Sequence, residues 1–233
     1  MKSLVRCLFA GVVAVMMVGC KTTPEERPFT NLFPVDGVPK GWVVRNWSNV
    51  ADKHPENPVW RVEKGVLHGS DPRGTWLVSE KEYTNFILEF EFMLPERGNS
   101  GIGVRFPDSG DPAFDGLELQ MVDPRYYGDE QVPDSELTGS LYRAVAPRNQ
   151  VFKPMAWNKY EIACYGPEVK VVLNGVQILD VNLDEHKTTV LRHNGAPASS
   201  LKDRPRRGHI GFQELSRGGG HVQIRNVRIK ELD

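Results

Sequence analysis

The sequence lacks an excess of charge of either sign. Its 233 residues carry 29 Lys and Arg against 30 Asp and Glu, which gives a formal net charge of −1. Such a balance provides no general electrostatic attraction to nucleic acid or to an anionic membrane surface. We therefore expect no nucleic-acid partner.

Cysteine is also scarce, with three in the chain. Cys7 and Cys20 lie within the first twenty residues, which leaves Cys164 for a folded domain. A domain with one cysteine has no internal disulfide and must be held together by its core. Cys164 itself falls in an alternating apolar run, which predicts a small buried hydrophobe rather than a nucleophile.

Several catalytic and cofactor motifs are missing as well. The sequence has no histidine pair with metalloprotease spacing, no serine in a nucleophile elbow, no P-loop and no dinucleotide fingerprint. We therefore expect no cofactor and no metal site. A bound calcium ion is the alternative, because Asp108, Asp111 and Asp115 share the loop over residues 107–116, although they lack EF-hand spacing and such loops are commonly simple turns.

The first hydrophobic run, Cys7 to Val18, is too short to span a bilayer permanently and follows a basic start, which is typical of an export signal. It ends in Gly19-Cys20 before a polar segment, and this junction resembles a bacterial lipobox, whose cysteine is lipidated after cleavage. We predict a lipoprotein signal peptide over residues 1–19, a tether over 20–28 and one domain over 29–233. The protein would be exported and held on the cell envelope through a lipid on Cys20. A plain signal peptide cleaved nearby is the alternative.

From residue 29 onward, apolar residues recur with a period of two, and no stretch shows sustained helical spacing. Phe86 to Phe92 alternates with four apolar residues on one face, and Asn174-Gly175 is a strong hairpin signal between two apolar runs. Nine or more strands separated by turn signals predict an all-β sandwich or jelly roll. The longest gap, from Asn182 to Gly208, predicts a loop that is functional or mobile.

Three of the predicted strands carry small or polar residues on the face opposite their apolar residues. These residues are Gly101, Gly103 and Arg105 in the first, Glu118 and Gln120 in the second, and His209, Gly211 and Gln213 in the third. Polar groups about 6 to 7 Å apart along one strand face suit a single sugar ring. We interpret this face as a concave polyol-binding surface. Ordinary solvent-facing positions of an antiparallel sheet would show the same pattern.

An ordered series of short motifs covers nearly the whole chain after the export signal. The series comprises Leu32-Phe33, Gly41-Trp42, Trp60 to Leu67, Asn99 to Arg105, Leu117 to Asp123, Thr138 to Tyr142, Trp157-Asn158, Leu173 to Gly175, Gly208 to Gln213 and Arg225 to Lys230. This series resembles the 3-keto-disaccharide hydrolase domain family, long known as a domain of unknown function. The resemblance implies a concanavalin A-like jelly roll and activity on sugars oxidised to a ketone at carbon three. The chain departs from the family pattern after Gln213, where a family histidine is missing.

The implied reaction begins with removal of the proton on carbon two, which the neighbouring ketone makes acidic, and continues with loss of the glycosidic oxygen from carbon one. It needs a base, a cation or donor at the developing oxyanion, and polar groups that hold the ring. We expect Glu118 as the base, Arg105 as the enolate stabiliser and His209 as the reserve base. The orienting residues would be Asn99, Gln120, Asp123, Tyr142 and Gln213.

Two alternatives stay open on the sequence. An ordinary glycosidase mechanism would use two carboxyl groups, which Glu118 with Glu91 or Asp123 could supply. A non-catalytic carbohydrate-binding lipoprotein is the second, because a jelly roll by itself does not establish catalysis. In each case the partner would be a carbohydrate, and the membrane would be contacted through the lipid anchor alone.

Overall fold

The computed structural model describes residues 28–232, and the predicted signal peptide, the predicted lipidation site Cys20 and most of the tether lie outside them. The strands are β1 (Thr30–Asn31), β2 (Trp42–Asn46), β3 (Arg61–Glu63), β4 (Val66–His68), β5 (Thr75–Tyr83), β6 (Phe86–Met93), β7 (Asn99–Phe106), β8 (Leu117–Val122), β9 (Asn158–Tyr165), β10 (Glu168–Leu173), β11 (Val176–Asn182), β12 (Gly208–Glu214) and β13 (Gln223–Glu231). One short helix, α1 (Pro112–Asp115), precedes β8. Single 3₁₀ turns lie at Pro124–Tyr127, Asp134–Glu136, Leu183–Glu185 and Leu201–Asp203. Among the described residues, no helix is long and apolar enough to cross a membrane.

The strands form two antiparallel sheets that pack face to face. The larger sheet has the order β11-β10-β9-β6-β13-β4-β3, with β1 added beside β13, and the smaller has the order β2-β5-β12-β7-β8. Neighbours in each sheet come from distant parts of the chain, as in β6 beside β13 and β5 beside β12. This architecture confirms the predicted concanavalin A-like jelly roll.

Local sequence signals explain the tightest connections. Asn174 and Gly175 both adopt positive φ, at 52° and 82°, between the paired residues Leu173 and Val176. A two-residue turn of this kind matches the twist of the flanking strands, and glycine adopts the second position without strain. The predicted hairpin is therefore confirmed.

The sandwich core is made by the apolar faces that alternation predicts. Phe86, Leu88, Phe90 and Phe92 of β6 point into it from the larger sheet, and Leu119 of β8 points into it from the smaller. Cys164 is buried in the same core, where burial raises the pKa of its thiol to about 11, so it serves as a hydrophobe as predicted.

The sequence did not reveal β1, β2 and β5. In β5 the first five residues, Thr75 to Ser79, are all buried, because loops cover the outer face of the smaller sheet while its inner face packs on the core. A strand buried on both faces shows no clean alternation. This cover of loops also encloses the cleft described next.

Candidate active site

A cleft of about 580 Å³ lies on the outer face of the smaller sheet. Its floor is formed by side chains of three adjacent strands, β12, β7 and β8, and its walls by the loops that cross them. Four predicted site residues lie on this floor: Asn99, Glu118, Gln120 and Gln213. The interpretation of this strand face as a concave polar surface agrees with the structure, and a fifth predicted residue, Tyr142, lines the wall.

Glu118 lies on the cleft floor and is 3% exposed. Its side chain lies across Gly101 of β7, where a Cβ atom would collide with the carboxylate, so any larger residue there would displace the Glu118 side chain. Burial raises the pKa of Glu118 well above the ordinary carboxyl value, with a smaller contribution from the nearby charge of Asp111. No hydrogen bond from another described residue offsets this shift.

Asp111 is a second buried carboxyl on the wall of the cleft. It caps α1 by accepting a hydrogen bond from the Ala113 backbone N–H at 3.0 Å. Burial raises its pKa to about 7 against the opposing effect of that hydrogen bond. Asp115, in the same loop, is also partly buried, but its ion pair with Arg192 holds its pKa below the ordinary value. The cleft therefore contains two carboxyl groups, Asp111 and Glu118, that retain protons at unusually high pH.

A network of Glu136, Tyr142 and Arg143 forms the facing wall. The Tyr142 hydroxyl lies 3.5 Å from Glu136 Oε2, and Arg143 Nε donates to Glu136 Oε1 at 3.0 Å. Burial raises the pKa of Tyr142 far above its ordinary range, so the hydroxyl remains a hydrogen-bond donor. The wall thus presents a neutral donor and a guanidinium to the cleft.

Polar atoms on the floor remain available to a ligand. Asn99 is buried, and its Oδ1 has no hydrogen-bond partner among the described residues. An unsatisfied buried acceptor costs about 1–3 kcal/mol, so a ligand hydroxyl that donated to it would be favoured. Gln120 is instead occupied in part, because its Oε1 accepts from the Met121 backbone N–H at 2.9 Å.

The sequence did not single out His193, which lines the wall beside Trp47. His193 belongs to the Asn182 to Gly208 loop, and its ring centroid lies 5.3 Å from that of Phe114 and 5.9 Å from that of Tyr142. The length of this loop was the one signal in the sequence that indicated a functional or mobile segment at this position. Arg143 and Asp111 also belong to loops whose fold over the sheet no strand pattern could indicate.

Arg105 is not in the cleft, and the expectation that it shares a face with Glu118 is wrong. β12 pairs His209 with Phe106 but Ile210 with Val104, so Arg105 is the extra residue of a β-bulge, with φ of 55°. A bulge re-aims the side chains that follow it. Arg105 is fully buried and donates to the backbone carbonyls of Thr84 and Gly166, each at 2.7 Å, which is a structural role.

The same bulge turns Phe106 outward, contrary to the strand pattern. Its ring covers Gly103 and Gly211, where a Cβ atom would approach to 3.0 Å. The space that these glycines leave is therefore filled by an aromatic ring rather than by a ligand. His209 lies beside Phe106 in a separate depression, and its Nδ1 is 2.8 Å from the Ser79 carbonyl oxygen. The structure thus does not bring His209 to Glu118.

Two more predicted site residues also lie outside the cleft. Asp123 accepts from the Arg125 backbone N–H and forms an ion pair with the Arg125 guanidinium, which fixes the 3₁₀ turn after β8. Glu91 lies on the outer face of the larger sheet and pairs with Arg225 at 2.7 Å. Neither carboxyl can be the partner of Glu118 across a glycosidic bond.

The loop considered for calcium does not gather its carboxylates. Asp111 caps α1, Asp115 pairs with Arg192, and Asp108 lines the depression beside His209. Among residues 28–232, no group of three or more His, Cys, Asp or Glu side chains is placed to hold a metal ion.

Two packed antiparallel sheets with a polar cleft on the outer face of one define a concanavalin A-like β-sandwich. The model of the 3-keto-alpha-glucoside-1,2-lyase-like domain matches residues 28–230. The chain belongs to this family, which confirms the resemblance found in the sequence.

Individual proteins resemble the chain at lower identity. A 3-keto-disaccharide hydrolase of Bacteroides thetaiotaomicron is 26% identical over 204 residues, which cover 75% of this chain and 70% of that protein. A candidate glycosyl hydrolase of Parabacteroides distasonis superposes with a TM-score of 0.69 at 23% identity, covering 88% of this chain and all of that one. A GH16 endo-β-1,3(4)-glucanase shares the fold, with a TM-score of 0.50 at 14% identity over 89% of this chain and 93% of that one. The family and the hydrolase relative support a glycosidase-type function.

Proposed function

We propose that this protein cleaves 3-keto-glycosides in the cleft above Glu118. The observation that carries the proposal is the Glu118 carboxyl, which is buried on the cleft floor with a raised pKa and is surrounded by polar side chains. Groups with strongly shifted pKa values in a cleft are the usual candidates for proton transfer. Membership of the 3-keto-alpha-glucoside-1,2-lyase-like family supports the choice of substrate.

The chemistry requires two proton transfers. A ketone at carbon three acidifies the proton on carbon two, and its removal places negative charge on the ketone oxygen as an enolate. The enolate then expels the glycosidic oxygen from carbon one, and that oxygen must gain a proton as it leaves. Water can add to the resulting double bond to give net hydrolysis. A carboxyl with a pKa near the working pH can serve either transfer.

Arg143 replaces Arg105 as the proposed stabiliser of the enolate. It lines the cleft, whereas Arg105 is buried elsewhere, and its guanidinium is held by Glu136 Oε1 and by the Leu191 carbonyl oxygen at 3.2 Å. A positioned guanidinium and the protonated Tyr142 hydroxyl would stabilise charge that develops on the ketone oxygen. Asn99, Gln120 and Gln213 would hold the sugar hydroxyls from the floor.

The deciding experiment compares a panel of 3-keto-glucosides with their unoxidised parents, and measures release of the aglycone by purified protein. We expect release from the keto sugars and none from the parents. Release from the parents would indicate an ordinary glycosidase. Binding of a glycoside without release from either set would establish the carbohydrate-binding alternative instead.

A further inference from the structure

His193 is presented to the cleft at the tip of a tight turn. The turn is closed by hydrogen bonds between Arg192 and Ala196 and from the Gly195 N–H to the Arg192 carbonyl oxygen, at 2.8 and 3.0 Å. The imidazole is solvent-accessible on one side and contacts the rings of Phe114, Tyr142 and Trp47 on the other.

The turn is anchored by two contacts at the residues that directly precede His193. Arg192 forms a bidentate ion pair with Asp115, the last residue of α1. Arg143 donates to the carbonyl oxygen of Leu191, the residue before Arg192, at 3.2 Å. These bonds fix the turn to the same loops that line the cleft, so the imidazole is held in place rather than left to move with a free loop.

The imidazole is chemically available. Among the described residues, no hydrogen bond is made to either ring nitrogen. Partial burial lowers the pKa of His193, and the positive charge of Arg143 lowers it further. The negative charge of Glu136 opposes this shift. The ring is therefore neutral at pH 7 and can accept a proton. The pKa of Glu118, in the same cleft, is raised by burial, which favours the protonated form. Titratable groups shifted apart in this way are the pattern of an acid–base pair.

We infer that His193 is a catalytic residue that takes the proton from carbon two, and that Glu118 gives a proton to the departing glycosidic oxygen. This inference rests on the proposed function and revises the direction of proton transfer that the sequence suggested for Glu118.

The cycle balances with water as its one co-reactant. His193 takes the proton from carbon two, and the electron pair of that carbon–hydrogen bond forms the enolate. The enolate collapses to a double bond between carbons one and two, and the glycosidic bond breaks as its oxygen takes the Glu118 proton. Water then adds its oxygen to carbon one and returns a proton to Glu118. The His193 proton goes back to carbon two, so both residues regain their starting states.

The test uses methyl 3-keto-glucoside, whose alkoxide leaving group requires a proton, both for cleavage and, in D₂O, for deuterium exchange at carbon two, followed by NMR. We expect His193→Gln to lower both rates by about two orders of magnitude or more. Glu118→Gln should lower cleavage by a similar factor while exchange persists. His186→Gln is the matched control, because His186 lies in the same long loop but does not line the cleft.

The outcomes separate the two proposals. If His193→Gln retains exchange or cleavage within about threefold of the wild-type rate, His193 is not the base and the inference is overturned. If exchange is lost in Glu118→Gln but not in His193→Gln, Glu118 is the base. If the wild-type protein neither exchanges nor cleaves the keto sugars, the proposed function itself fails. Thermal unfolding of each variant verifies that the fold is intact.

Discussion

At the scale of single residues, the cleft depends on two carboxyl groups that are shielded from water. Glu118 and Asp111 are both almost fully buried, yet neither has an arginine or lysine as an ion-pair partner among the described residues. Protonation is the less costly solution for such carboxyls. The same environment that makes them useful in proton transfer therefore makes them unfavourable for folding at high pH.

Replacing Glu118 tests the proposed role of its carboxyl. Glu118→Gln preserves shape and hydrogen-bonding reach but removes the transferable proton, so turnover of 3-keto-glucosides should fall by about two to four orders of magnitude. Substrate affinity, measured by titration calorimetry, should change much less because other polar groups hold the ring.

The matched control for this prediction is Glu161→Gln. Glu161 is paired with Lys159 on the larger sheet, away from the cleft, so the same chemical change there should leave turnover unaltered. Equal turnover in Glu118→Gln and wild-type protein would remove Glu118 from the mechanism.

Asp111 should make stability depend on pH. The folded state keeps its proton up to a pKa of about 7, whereas the unfolded chain releases it near the ordinary value of 3.8. Folding therefore takes up a proton between these values, and the free energy of unfolding should fall as pH rises through this window, by at most about 1.4 kcal/mol per pH unit.

Asp111→Asn keeps an oxygen that can cap α1 but does not titrate. Urea unfolding at pH 4, 5, 6 and 7 should show a shallower pH dependence in the variant than in the wild-type protein. Part of the slope should persist, because Glu118 is shifted in the same direction. An unchanged slope would mean that Asp111 is ionised in the folded state.

At the scale of elements, β8 joins the core to the site. Leu117, Leu119 and Met121 point into the core between the sheets, while Glu118 and Gln120 point into the cleft. All six residues of the strand are buried because loops cover its outer face. One strand thus contributes to stability on one face and to the proposed chemistry on the other.

Leu119→Ala and Gln120→Ala should therefore separate these two contributions. Leu119 is fully buried in the core, and its truncation should lower the free energy of unfolding by about 2–5 kcal/mol. Gln120→Ala should destabilise the protein less, because it removes one buried hydrogen bond to the Met121 N–H rather than core packing, and should weaken substrate binding. Denaturant unfolding and a binding titration measure the two effects, and the reverse pattern would contradict the assignment of strand faces.

At the scale of the whole molecule, the N-terminal segment determines where the protein would act. The Gly19-Cys20 junction predicts lipidation of Cys20 after export, and this segment lies outside the described residues. In a bacterial expression host, the wild-type protein should sediment with membranes, whereas Cys20→Ser should not. A wild-type protein that is exported and entirely soluble would exclude the anchor but leave the domain unaffected.

Local patterns in the sequence were enough to predict the sandwich and the polar side chains of the cleft floor. Alternation with a period of two is a local property of an extended chain, so Leu119 could be placed in the core and Glu118 opposite it without knowledge of any partner strand. The turn at Asn174-Gly175 follows from local conformational preference in the same way. The ordered family motifs then extended these local signals to the whole fold.

Contacts between distant parts of the chain determine which polar residues share the cleft. Arg105 lies outside the cleft because of a β-bulge where β7 pairs with β12. Strand β12 lies about 100 residues further along the chain than β7. His193 and Arg143 line the cleft that contains Glu118 through loops whose paths depend on ion pairs such as Arg192 with Asp115. Such contacts join residues far apart in the sequence, and no local pattern encodes them. For this protein, alternation assigned the strand faces, and long-range packing selected the residues that surround Glu118.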